Sequence, residues 1–194
     1  MKLIFLRHGE AEHNINEPDS FQIQHPRLTL KGITQVQNFK KKFNNLVKED
    51  IIVASPTYRT LETAELFTKE YACRKYICYA IGPRIYPYRE RAKTLPCDVV
   101  LKGKELSTFS IANSFGLLYK KTFDENLISV NHVSERHYQD IALSFLDWCR
   151  AQERKRIFLV THDGTINTFK ELILNKKFTR DDMLNEGEFV TLDI

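Results

Sequence analysis

The sequence predicts an α/β fold, a mainly parallel sheet with helices on both faces, and three observations lead there. Short apolar runs rich in Ile, Val, Phe or Tyr alternate with stretches in which apolar residues recur every three or four positions. The runs suit buried strands and the periodic stretches suit helices. Polar clusters directly follow three of the runs, where the carboxyl ends of parallel strands would present them to a ligand.

Taken in order, residues 2–6 read as a first buried strand, followed by a helix carrying Ile33, Val36, Phe39, Phe43 and Leu46 on one face. A second strand at 51–54 leads into a helix marked by Leu61, Ala64, Phe67 and Tyr71, and a third strand is expected at 76–80. The clearest helix carries Tyr138, Ile141, Ala142, Phe145, Trp148 and Cys149; Ser134 or Glu135 lies near its start, and Arg150 and Arg154 near its end suit the helix dipole. A strand at 157–161, a helix at 166–174 and an edge strand at 189–192 complete the pattern. Residues 84–131 are less regular and read as a small cap insertion.

The 194 residues, 42 % hydrophobic and 11 % aromatic, can build a substantial core, and no linker or repeat divides them, so one domain over 1–194 is expected. No apolar run approaches the roughly 18 residues of a membrane span. The apolar start at residues 1–6 is cut short by Arg7, His8 and Glu10, unlike a signal peptide, so a cytoplasmic protein is expected. The cysteines at 73, 78, 97 and 149 form no CxxC pair; they read as reduced and structural, with no metal or cofactor expected. A net charge of +4 without a recognised binding motif argues against nucleic acid as a partner, and no membrane partner is expected.

Arg7-His8-Gly9-Glu10 follows the first strand, Ser55-Pro56-Thr57-Tyr58-Arg59 the second, and Thr161-His162-Asp163-Gly164 begins at the end of the late one. If these strands are parallel neighbours, two histidines and two arginines converge. Guanidinium groups that cannot deprotonate, beside two imidazoles, suit an anion whose charge must be held while a bond to it breaks. A phosphoryl group is the natural candidate. Neutral histidine is a competent nucleophile toward phosphorus, and no P-loop, Ser-His-Asp order or Cys nucleophile motif competes.

With Asn14, the 28–35 stretch Leu-Thr-Leu-Lys-Gly-Ile-Thr-Gln and the continuation Thr60-Leu61-Glu62-Thr63-Ala64, these motifs resemble the histidine phosphatase superfamily, branch 1, the phosphoglycerate mutase-like branch. The likeness runs from residue 2 to about 174 and is loose over 84–131, apart from Arg89-Glu90 and Pro96-Cys97-Asp98, which resemble an acid-bearing stretch of some phosphatases. The resemblance implies a phosphoglycerate mutase-like fold in which His8 becomes phosphorylated. Arg7, Arg59 and His162 would hold the non-bridging oxygens, with Asn14 and Asp163 in the same substrate pocket. It offers two proton donors, Glu90 and Asp163, and favours Glu90. Glu10 and Glu62 are candidates to orient the neighbouring cations, whereas His13, His25, His132 and His137 read as structural.

The activity implied is metal-independent hydrolysis of phosphomonoesters, small phosphorylated molecules or phosphopeptides. The rivals are mutase-type phosphoryl transfer and a catalytically silent phospho-ligand or protein-binding module. Residues 84–121 hold Arg84, Arg89, Arg91, Lys93, Lys102, Lys104, Lys120 and Lys121 against Glu90, Asp98 and Glu105, so a basic cap would favour substrates with a second anionic group.

Overall fold

The computed structural model describes residues 1–90, 92–118 and 130–194. Its centre is a six-stranded sheet in the order β4-β3-β2-β5-β1-β6, formed by β1 (Lys2–Arg7), β2 (Ile51–Ala54), β3 (Arg74–Ile77), β4 (Gly116–Leu117), β5 (Arg156–Thr161) and β6 (Phe189–Asp193). All neighbouring pairs are parallel except β6, which runs antiparallel along β1 at the sheet edge.

Helices cover both faces. On one, Leu3, Phe5, Ile51, Val53, Ile157 and Leu159 meet Tyr138, Ile141 and Phe145 of α4 (Glu135–Ala151) and Ile166 and Phe169 of α5 (Asp163–Leu174). On the other, Ile4, Leu6, Ile52, Phe158 and Val160 meet Val36 and Phe39 of α1 (Leu30–Lys42) and Leu61, Ala64 and Phe67 of α2 (Tyr58–Thr68). Consecutive strand residues thus enter opposite cores, because strand side chains alternate. The Phe158 ring lies 5.3 Å from those of both Phe43 and Phe67. Caps set two helix starts: Thr29 Oγ1 accepts from Gly32 N and begins α1, and Ser134 Oγ accepts from His137 N and begins α4.

Several segments differ from the sequence pattern. β3 ends at Ile77, earlier than the apolar run, because the backbone turns into a 3-10 segment at Tyr79–Ile81 whose Tyr79 hydroxyl donates to the Leu101 carbonyl. α2 starts at Tyr58, one turn ahead of its apolar stripe, and α5 starts at Asp163, directly after His162. Residues 84–131 are in part woven into the body. Leu101 and Ala112 join the second core, α3 (Gly103–Thr108) lies in this stretch, and β4 extends the sheet beside β3. Among the described residues, no helix is long and apolar enough to cross a membrane.

Candidate active site

Because β1, β2 and β5 are parallel neighbours, their carboxyl ends deliver Arg7 and His8, Ser55, and His162 to one place. α2 and α5 start immediately afterwards, so two helix N-termini with their partial positive charge lie beside this crevice. The close fit depends on Gly164: a Cβ there would stand 2.0 Å from the Arg84 carbonyl oxygen. A cavity of about 450 Å³ opens here, lined by Arg7, His8, Asn14, Arg59, His162 and Asp163 among others. The cluster expected at the strand ends is therefore assembled in one cavity, with Asn14 in its wall.

His8 is 2 % exposed, and its Nδ1 lies 2.8 Å from the Gly9 carbonyl oxygen. That contact places the ring proton on Nδ1 and leaves the Nε2 lone pair free, where Arg59 Nε donates to it across 3.2 Å. His162 Nδ1 lies 3.1 Å from Arg59 Nη2, so its proton sits on Nε2, which donates to Ser55 Oγ at 2.8 Å. The two rings are 5.3 Å apart. Burial first, then the Arg59 charge, holds both imidazoles well below their ordinary pKa, so both are neutral at neutral pH.

Arg59, 1 % exposed, is the hub: besides the two imidazoles it donates to the Cys97 carbonyl at 2.6 Å and to Asp98 at 2.8 Å. Arg7 donates to the Leu184 carbonyl at 2.6 Å and pairs with Glu186 at 2.6 Å and Asp163 at 3.2 Å, while its buried Nε has no partner among the described residues. Asn14 Oδ1 accepts from Ala11 N at 3.0 Å, which fixes the amide in its loop.

Glu90 is not brought to this cavity. It lines a neighbouring one, of about 750 Å³, with Tyr88, Lys93, Lys102 and His132. Near it, Ala92 N donates to the Arg89 carbonyl at 3.2 Å. Three carboxyls do line the site, Glu17, Asp98 and Asp163; burial raises the Asp98 pKa against the opposing pull of Arg59. Glu10 and Glu62 orient none of the cations of the site: Glu10 accepts from Thr29 Oγ1 and pairs with Lys31, and Glu62 accepts from Leu28 N. They brace the loop ahead of α1.

Sequence reasoning missed His13, which it read as structural. Its ring lies 5.5 Å from that of His8 in the wall of the same cavity, it is 7 % exposed, and its Nδ1 has no hydrogen-bond partner among the described residues. Burial, with Arg59 and Arg7 nearby, lowers its pKa to about 2. The available signal was position, since His13 immediately precedes Asn14 in the loop that follows His8. Arg180, after α5, was also missed because it reaches the cavity only through tertiary folding.

Fold and site together define an α/β protein with a crevice lined by arginines and histidines at the carboxyl edge of its sheet. Residues 3–77 match the model of the histidine phosphatase superfamily (branch 1), which bears out the resemblance read from the motifs. Solved structures with the same fold include the alpha-ribazole phosphatase from Shigella flexneri, 18 % identical over 100 % of this chain and 91 % of that one, with a TM-score of 0.65. A phosphoserine phosphatase from Entamoeba histolytica, solved with 3-phosphoglyceric acid, is 23 % identical over 98 % and 89 %, with a TM-score of 0.58. The ecdysone phosphate phosphatase from Bombix mori, in complex with tungstate, is 14 % identical over 95 % and 82 %, with a TM-score of 0.60. No curated protein matches the sequence.

Proposed function

We propose that this chain is a phosphomonoesterase that works through a phosphohistidine at His8, without a metal ion. One observation carries the reading: a neutral, buried imidazole, its Nε2 unprotonated and held by Arg59, lines a cavity walled by Arg7, Arg59 and His162. In the first step His8 Nε2 forms a bond to phosphorus as the bond to the ester oxygen breaks. Arg59 moves its Nε–H from His8 Nε2 to a non-bridging oxygen, which releases the lone pair as the charge builds. Arg7 Nε, buried and without a partner among the described residues, is a second donor for the same group, and His13 Nδ1 a third. A phosphoryl dianion favours a proton on His162 Nδ1, from which it donates in turn. The Asn14 amide completes the cradle.

The leaving oxygen needs a proton. Asp98 is the donor supported best: it lies in the cavity wall on Arg59, and burial favours its protonated form. Its carboxylate then takes a proton from water as the water oxygen attacks phosphorus and the P–N bond breaks, which frees His8 and phosphate. Asp163, held by Arg7 and by Gly164 N at 2.6 Å, orients the Arg7 guanidinium.

Rapid acid-free quenching of a reaction with a 32P-labelled ester tests this reading. An acid-labile, base-stable label on His8, absent from His8→Ala, is expected. Label on Ser or Cys, or full activity in His8→Ala, would overturn it.

A further inference from the structure

The cations that line the cavity fall into two groups. The inner guanidiniums arrive with carboxylate partners: Arg7 with Asp163 and Glu186, Arg59 with Asp98, and Arg84 with Glu135. Arg84 is further held by the Val130 carbonyl and lies 4.0 Å above the Tyr138 ring, a structural placement. The outer ones, Arg89 and Arg180, are exposed and their side chains have no hydrogen bond or ion pair among the described residues. They come from chain segments about ninety residues apart, one in the 84–131 insertion and one in the 3-10 turn at Arg180–Asp182, yet both line this cavity. Glu17 is the one lining carboxylate with no ion pair among the described residues, so two guanidiniums face one carboxylate and the outer charges do not cancel.

The basic excess seen in the sequence is thereby narrowed. Lys93 and Lys102 line the neighbouring cavity, Lys104 is exposed on α3, and Arg91, Lys120 and Lys121 lie outside the described residues. Arg84 and Arg89 remain from that segment, and Arg180 joins them. Phe21, Leu95, Tyr86 and Met183 supply apolar wall in the same cavity, whose volume of about 450 Å³ suits a small molecule.

We propose that the substrate is a small phosphomonoester with a second anionic group, a carboxylate or another phosphate, bound by Arg89 and Arg180 while the reacting phosphoryl lies against His8. The inference rests on the phosphatase reading. It assigns the two outer guanidiniums a ligand they can hold in forked hydrogen bonds, and it sets a short carbon body against the apolar wall.

The test compares kcat/KM for 3-phosphoglycerate and glycerol 3-phosphate, which share a three-carbon body and a primary leaving oxygen and differ in the carboxylate. The wild type should prefer the carboxylate by about tenfold, the scale of a charge-assisted hydrogen bond. That ratio should fall toward one in Arg89→Gln/Arg180→Gln, and it should shrink with added salt, because exposed charges are screened within about 10 Å at 0.1 M. Lys104→Gln, outside the lining, should leave both the ratio and the basal activity unchanged. Thermal melts verify that the double variant is folded. A wild-type ratio near one, or a preference that survives in the folded double variant, would overturn the proposal. Calorimetric titration of both compounds reads the same preference without turnover. If neither ester is hydrolysed but the carboxylate binds more tightly, and the double variant loses that advantage, the phosphatase reading fails while the anion subsite at Arg89 and Arg180 stands.

Discussion

Replacing His13 by Gln should make the protein less sensitive to acid. His13 is 7 % exposed, and burial with Arg59 and Arg7 lowers its pKa from 6.5 to about 2 in the folded state. A histidine depressed in this way contributes stability that is complete above the unfolded pKa and is lost as pH falls below it, because the unfolded chain then takes up a proton that the folded chain refuses. Between pH 7 and pH 5 the loss for one such group is about 2 kcal/mol. His8 and His162 are depressed for the same reason and act in the same direction, but they are present in both proteins. Urea unfolding at the two pH values therefore isolates the His13 share. The wild type should lose about 2 kcal/mol more than His13→Gln over this interval. Parallel losses would refute the reasoning and mean that the His13 ring is protonated, or paired, in the folded protein.

Three further outcomes are expected. Hydrolysis of an aryl phosphate should persist in excess chelator, since guanidinium and imidazole groups supply the charge a metal would otherwise bring; strict dependence on an added divalent ion would contradict this. Asp98→Asn should slow esters of poorly acidic alcohols far more than activated aryl esters, whereas Asp163→Asn should slow both alike; the same asymmetry in Asp163→Asn or Glu90→Gln would move the donor role to that residue. Gly164→Ala should destabilise the fold by about 1–3 kcal/mol or more in chemical unfolding, because its Cβ would meet the Arg84 carbonyl at 2.0 Å; an unchanged midpoint would contradict that contact.

β1, β2 and β5 are legible in the sequence because they are buried on both faces and so carry unbroken apolar runs. β4 is not: two residues leave no period, and Gly116 and Leu117 are recruited by pairing with Tyr76 and Ile77. β3 begins with Arg74 and Lys75, which an apolar search passes over, while the run that attracts attention continues into a turn. The same logic divides the site. His8, Arg59 and His162 can be found because each lies at or just beyond a strand end, where topology alone determines where they go. His13, Asp98 and Arg180 belong to irregular segments, whose direction is decided by hydrogen bonds and packing far away in sequence. Glu90 shows the converse, since a plausible sequence position lines a different cavity.

The place of β1 in the sheet also has a kinetic meaning. It is the first strand made, yet its partners are β5 and β6, at Arg156–Thr161 and Phe189–Asp193. During synthesis Leu3, Ile4, Phe5 and Leu6 must wait unpaired until the chain has grown by about 150 residues, an exposed hydrophobic strand that holdase chaperones are suited to bind. Such long-range pairing delays folding because the loop must close before the contacts reward it. The crevice shares that delay: Arg7 and His8 meet His162 only when β5 inserts between β1 and β2. A ribosome-stalled chain whose exposed part stops short of residue 156 should therefore be inactive however long it is given to fold, and activity should emerge together with the central strand.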